Sequence, residues 1–223
     1  MTEKQLQRLK EKEEKARLKL EKELERTRQM SVYEERFAEK GRIAGIDEVG
    51  RGPLAGPVVA CCVILPDDHP ILYLNDSKKL SPKKRDELYD VIMKEAVCVG
   101  LGMEPPEVID SVNILQATYS AMRKAIGSMQ IRPDFLLVDA VTIPHTGIPQ
   151  CPIIRGDAQS VSIAAASIVA KVTRDRMMED YDRIYPEYGF AAHKGYGTAA
   201  HIDAIKRCGP CPIHRRSFIG KWL

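Results

Sequence analysis

The sequence contains no long hydrophobic run, no dominant sign of charge and no proline or glycine in its first 40 residues. Each absence narrows the possibilities. No apolar stretch approaches the ~20 residues that a membrane-spanning helix requires. The N-terminus is charged throughout and shows no hydrophobic segment of the secretory type, so the cytoplasm is the expected compartment. Net charge is only +3, from 34 Lys and Arg against 31 Asp and Glu. Residues 1–40 carry 12 of those basic and 10 of those acidic side chains, which leaves +1 for the remainder. Bulk charge therefore does not announce a nucleic-acid binder, and any attraction to phosphate must be local. The cysteines (Cys61, Cys62, Cys98, Cys151, Cys208 and Cys211) are even in number, yet without a secretory segment they imply no disulfide framework. Internal repeats are also missing. At 223 residues the chain is long enough for one substantial core.

What is present is a set of carboxylates in unusual places. Asp47 and Glu48 close the run Gly45-Ile46-Asp47-Glu48-Val49 and precede Gly50-Arg51-Gly52. Asp139 ends Phe135-Leu136-Leu137-Val138, and Asp157 follows Arg155-Gly156. Burying an unpaired carboxylate costs several kcal/mol, roughly, unless a cation or donor compensates it. Acids from distant strand ends and a glycine turn can converge on a hard cation such as Mg²⁺ or Mn²⁺, which prefers oxygen ligands. Two such ions form the apparatus for in-line attack on a phosphodiester. Each acid also has an ordinary explanation. Asp47 and Glu48 point to opposite faces of a regular strand, so both reach one site only if the strand twists or breaks, which the nearby glycines permit. Asp139 could be a simple strand exit, and Asp157 could cap the following helix.

The pattern predicts an α/β layer fold with a mixed sheet, a helical C-terminal part and a charged helical arm. The arm covers residues 1–40, with Leu6, Leu9, Ala16, Leu20 and Leu24 at roughly helical spacing. It reads as a solvated helix or as an arm packed on the body, a partner or nucleic acid. Residues 41–223 form the body. Strands are expected over 43–47, 57–65, 97–103, 135–139 and 152–155. Helices are expected over 83–95, with Ser81 as N-cap and Pro82 in the first position, over 113–129, and from Ala158 towards Met178.

Four blocks of sequence make this pattern specific. Asp47-Glu48-Val49-Gly50-Arg51-Gly52-Pro53-Leu54-Ala55-Gly56-Pro57-Val58 resembles the opening block of type 2 ribonuclease H, the bacterial ribonuclease HII family. So do Asp76-Ser77-Lys78-Lys79-Leu80, the stretch from Gly156 to Ala165, and Lys194-Gly195-Tyr196-Gly197-Thr198, in the family's order. The resemblance implies a ribonuclease H-like fold and a Mn²⁺- or Mg²⁺-dependent endonuclease. It implies that Asp47, Glu48, Asp139 and Asp157 hold the ions and carry catalysis. Expected substrates are RNA–DNA hybrids and duplex DNA with embedded ribonucleotides, cut on the 5′ side of the ribonucleotide to leave 3′-hydroxyl and 5′-phosphate ends. It also implies that the Gly50-Arg51-Gly52 turn reads the ribonucleotide's 2′-OH, the group that separates RNA from DNA, and that Tyr196 lies against the following deoxyribose. On residue chemistry alone, Gly50-Arg51-Gly52 is equally a tight turn and Tyr196 a packed loop aromatic. A monomer with no membrane association is expected.

Lys78, Lys79, Lys83, Lys84 and Arg85, with Lys171 and Arg174, are either solvated helix faces or phosphate contacts, Lys78 foremost. Cys208-Gly209-Pro210-Cys211 spells a thiol-redox tetrapeptide, but that chemistry requires the first cysteine at a helix N-terminus, and no later strands complete such a domain. With His214 it hints at zinc, yet no second Cys/His pair supplies four ligands. A C-terminal turn with incidental thiols is expected, and His145, His193, His201 and His214 are not expected to bind metal. Competing readings are a non-catalytic nucleic-acid-binding module, a thiol oxidoreductase, and the sibling ribonuclease HIII type, which usually carries an extra folded N-terminal domain.

Overall fold

With nothing to interrupt it, the charged opening segment forms one long helix, α1 (Glu3–Met30), followed by α2 (Val32–Phe37). The computed structural model describes residues 3–67 and 70–223. Met1 and Thr2 of the expected arm, and the side chains of Glu3 and Leu9, lie outside that description. The described side chains from Lys4 to Lys22 are exposed, and Leu6, Ala16, Leu20 and Leu24 face solvent. The apolar stripe is therefore not the docking face. The helix is held by its last two turns and mainly by polar groups. Glu23 accepts the Tyr73 N–H at 2.7 Å, Arg26 donates to Leu74 O at 2.8 Å, and Thr27 and Met30 are buried. Glu34 of α2 accepts from Ser160 Oγ, Ser162 Oγ and Ser162 N, which anchors the arm to the body.

The body is a five-stranded sheet in the order β3-β2-β1-β4-β5. Strands β1 (Ile43–Val49), β2 (Val58–Ile64) and β3 (Cys98–Glu104) are antiparallel neighbours, while β4 (Phe135–Asp139) and β5 (Gln150–Ile153) run parallel to β1. Strand β5 starts two residues before the expected position and holds Pro152, which a sheet edge tolerates because one side of an edge strand needs no donor. Helix α3 (Pro82–Glu95) begins as expected, with Ser81 Oγ accepting the Lys84 N–H. The turn of helix α4 (Pro106–Val112) was not expected. Its signal is Pro106 in the first position. It leads into α5 (Ile114–Gly127), where Asn113 Oδ1 accepts from Leu115 N and Gln116 N.

Alternation along β2 separates two cores. Val58, Ala60, Cys62 and Ile64 pack against α5 through Ala117, Ala121, Met122 and Ala125. Val59, Cys61 and Val63 pack against α6 (Val161–Ile184) through its run of alanines, Ile168 and Val169. That helix starts three residues later than expected, because Ser160 rather than Asp157 is its cap, accepting the Ile163 N–H at 3.2 Å. It lies so close to β1 that a Cβ on Gly45 would collide with the Ser162 backbone. The C-terminal part, α7 (Phe190–His193), α8 (Ala199–Cys208) and α9 (Arg216–Ile219), encloses a third apolar cluster with Leu54, Met178 and Tyr188. No helix among the described residues is long and apolar enough to cross a membrane.

Candidate active site

The sheet brings three of the four acids to one end. The last β1–β4 pair is Ile46↔Val138, so Asp47 stands level with Asp139, the last residue of β4, and Glu48 extends past it. The strand does not break between the two acids. Pairing with β2 continues to Val49↔Val59, and the chain turns only at Gly50, whose φ is +93°. Past Asp139 the β4 edge of β1 is open beside Glu48, whose charge still acts on Asp47. Asp157 arrives on a 3-10 turn, Gly156–Ala158, after Arg155 in the left-handed region. Its neighbour Gly156 donates its N–H to Asp139 Oδ1 at 2.7 Å. A side chain at Gly156 would press on Ile163 and on Asp139.

Electrostatics bind the quartet together. Burial pushes the Asp47 carboxyl well above the usual range, and the charges of Glu48 and Asp139 push it further. Glu48 is raised by burial and by Asp139, against the pull of Arg51, whose Nη1 lies 3.4 Å from Oε1. Asp139 and Asp157 are also raised, first by burial and then by negative neighbours. Mutual repulsion of this kind is relieved by a cation among the acids. The donor set is all oxygen, and Glu48 Oε2 is buried without a hydrogen-bond partner among the described residues. Oxygen donors are what hard divalent ions prefer, although no three acids among the described residues already stand grouped as a ready-made metal site. A cavity of about 570 Å³ lined by α1, α2, Pro66, Pro70 and Ile71 includes none of the four acids.

Two residues beyond the expected set touch this chemistry. Asp76 adds negative charge beside Asp139 and Asp157. Ser167 of α6 hydrogen-bonds Ser77 Oγ, 2.9 Å away, and its hydroxyl works against the upward push on the Asp47 carboxyl. Asp76 and Ser77 belong to the Asp-Ser-Lys block, which was the available signal. Nothing in the alanine-rich α6 marked Ser167. Lys78 projects the opposite charge onto Asp139 and Asp157, from a turn in which Asp76 Oδ1 accepts the Lys78 N–H.

The other candidate cations divide. Arg85 donates to Ser77 O and Leu80 O and so holds the Lys78 turn from behind. Lys171 pairs with Asp175 at 2.6 Å. Arg174 is fully buried and cannot meet phosphate. It donates to the carbonyls of Ala55, Pro57 and Lys194. Buried Arg215 matches it, donating to the carbonyls of Gly50, Arg51 and Gly56. Burial lowers these guanidinium groups to about 10 and about 9, so both stay charged at neutral pH. The two arginines, neither of which sequence reasoning found in this role, grip the Gly50–Pro57 turn through its carbonyls.

Tyr196 stands beside that turn. A Cβ on Gly52 would lie 3.7 Å from Tyr196 Cε1, and the ring is 45% exposed. Leu54 N donates to Gly195 O at 2.8 Å, which joins the two loops. Away from this site, Cys208 ends α8 and is exposed, and Cys211 is buried against His214, with burial raising its thiol. A cysteine at a helix C-terminus lacks the dipole that activates a redox thiol.

Comparison with known proteins agrees with this geometry. The family model "Ribonuclease HII" matches residues 44–221. The chain is 61% identical over 201 residues to ribonuclease HII of Lachnoclostridium phytofermentans, covering 90% of this chain and 79% of that protein. The crystal structure of ribonuclease H2 from Pyrococcus horikoshii OT3 superposes with a TM-score of 0.67 at 27% identity, covering 81% of this chain and 96% of that one. Bst-RNase HIII in complex with Mn²⁺ shares the fold at 17% identity and a TM-score of 0.59, with 74% of this chain and 61% of that one covered.

Proposed function

The chain belongs to the ribonuclease HII family, and we propose that its acids carry out metal-dependent cleavage of RNA joined to or paired with DNA. As a member of that family it is a ribonuclease H hydrolase, an endonuclease that degrades RNA–DNA hybrids. Residues 41–223 form the catalytic unit and residues 1–40 an arm. Asp47, Glu48, Asp139 and Asp157 would hold two ions, Mg²⁺ or Mn²⁺. When bound, the ions supply activation of water and neutralisation of the leaving oxygen.

The chain's own residues do the rest. Gly156 N and Glu48 N donate to Asp139 and Asp47 and fix their orientation before any ion arrives. Lys78, close enough to act on two of the acids, meets the phosphate that bridges the site. The Gly50-Arg51-Gly52 turn, held by Arg215, offers backbone groups to a 2′-OH, and the Tyr196 ring covers the next sugar. Together they read a ribose followed by a deoxyribose, so a single ribonucleotide embedded in duplex DNA is also a substrate. Cleavage falls on its 5′ side and leaves 3′-hydroxyl and 5′-phosphate ends.

The observation that carries this reading is buried Asp47 repelled by the half-buried Glu48 and Asp139, with an unpartnered Glu48 oxygen. The test is incubation of a long RNA–DNA hybrid and of a duplex containing one ribonucleotide, each with Mg²⁺, Mn²⁺ or chelator. Incision only with metal, 5′ of the ribonucleotide, is the expected result. Metal-independent cleavage, or none of either substrate, would overturn the reading.

A further inference from the structure

The Tyr196 ring is aimed by its backbone. Its N–H donates to His193 O, while its carbonyl accepts from Thr198 N and from His201 Nδ1, the latter at 2.9 Å. Below the loop lies a group of histidines that the catalytic chemistry does not use. His201 and His214 are buried, and their Nε2 atoms are 3.0 Å apart. His193 stacks on His201 with ring centroids 4.4 Å apart, and Phe190 meets the same ring edge-on. Cys211 N lies 3.0 Å from His214 Nδ1.

These contacts fix every ring proton. A carbonyl only accepts, so His201 Nδ1 carries hydrogen and, in a neutral ring, its Nε2 is bare. A bare Nε2 requires the hydrogen of that short contact to sit on His214 Nε2. His214 Nδ1 is then bare and accepts the Cys211 N–H, a better contact than the Cys211 carbonyl at 3.4 Å. Burial holds both rings neutral. The arrangement also excludes a shared metal, because Cys211 and His201 address opposite nitrogens of His214.

We infer that this relay, running from Cys211 N–H through His214 and His201 to the Tyr196 carbonyl, positions the tyrosine against the Gly50–Gly52 turn. His201 and His214 are thus positioning residues that set the preference for a ribonucleotide followed by deoxyribose. The inference rests on the sugar-reading role proposed for Tyr196.

The experiment compares two replacements that each mimic one ring nitrogen. His201→Asn keeps an amide donor near the Nδ1 position, and His201→Gln places its amide near Nε2 and abandons Tyr196. The readout is the ratio of incision at a single embedded ribonucleotide to cleavage of a long hybrid. His201→Gln should lower that ratio at least fivefold and His201→Asn less than twofold. In a Tyr196→Ala background, His201→Gln should lower it no further. Imidazole ¹⁵N spectra of the unaltered protein should show hydrogen on His201 Nδ1 and on His214 Nε2. An unchanged ratio in folded His201→Gln, or the opposite tautomers, would overturn the relay. If His201→Gln does not fold, the tautomers and the His201→Asn ratio decide. If the unaltered protein cannot incise a single ribonucleotide, the sugar-reading role of Tyr196 fails, and the spectra judge the relay's geometry separately.

Discussion

At the residue scale the strongest expectation concerns Asp47 and Asp139. Replacing either by asparagine should lower cleavage with Mg²⁺ or Mn²⁺ by several orders of magnitude. Stability of the metal-free protein should stay level or rise, because a repelling charge has gone. Initial rates and melting in chelator check the two halves of this statement. Adding Mn²⁺ should raise the melting temperature of the unaltered protein, since a ligand bound only by the folded state stabilises it. Asp47→Asn should lose most of that rise. Near-normal turnover in either variant would remove the metal assignment. Tyr196→Ala should cost roughly 1–3 kcal/mol, the scale of aromatic stacking in nucleic-acid complexes, and mostly on duplexes with one ribonucleotide. Equal losses on long hybrids would make it a packing residue.

At the element scale the Gly50–Pro57 turn separates two glycines that look alike in sequence. Gly50 has φ +93°, and a Cβ there would meet the Arg174 guanidinium and Pro57 O. Gly52 is open apart from the Tyr196 ring. Gly50→Ala should therefore destabilise the fold, whereas Gly52→Ala should melt within a few degrees of the unaltered protein yet cut poorly. Comparable melting temperatures for the two would contradict the distinction. Removing the Arg215 guanidinium leaves three carbonyls without their donor. At about 1–3 kcal/mol for each buried orphan, Arg215→Met should lose at least ~3 kcal/mol in denaturant titration. The histidine relay adds a pH dependence. Burial holds His214 down at about 4 and lowers His201, so below about pH 6.5 the unfolded chain takes up protons that the folded chain refuses. Stability should fall as pH drops from about 6.5 towards 4. His214→Gln should flatten that part of the melting curve relative to the unaltered protein.

At the scale of the whole molecule, the sequence revealed what depends on local pattern. Strand β4 and the Ser81 cap of α3 stand where the apolar run 135–138 and capping placed them, and three of the four acids lie in the quoted blocks, Asp139 ending that apolar run. What it could not show was anything that depends on distant main-chain groups. Arg174 looked like a phosphate contact because its three carbonyl acceptors lie 20 and more than 100 residues away. The Asp47–Glu48 pair seemed to need a broken strand because nothing local reveals where a parallel neighbour ends. The arm read as a solvated helix or a packed arm; its leucines are solvated, and the docking through Glu23, Arg26, Thr27 and Met30 had no local signal. Deleting residues 1–21 should therefore change melting temperature and cleavage little, while deletion through Met30 should destabilise the body. A large activity loss from the shorter deletion would give the exposed helix a role in substrate binding.

That same helix governs how the molecule moves through water. The exposed stretch from Lys4 to Lys22 spans about 29 Å at 1.5 Å per residue, close to the width of a small domain. A rod of that length adds frictional drag out of proportion to its mass. A monomer of this shape would elute early from a sizing column, sediment slowly, and tumble anisotropically in solution. A retention volume calibrated on spheres would report something nearer a dimer, and only a shape-independent mass, from light scattering or equilibrium sedimentation, would read 25.0 kDa.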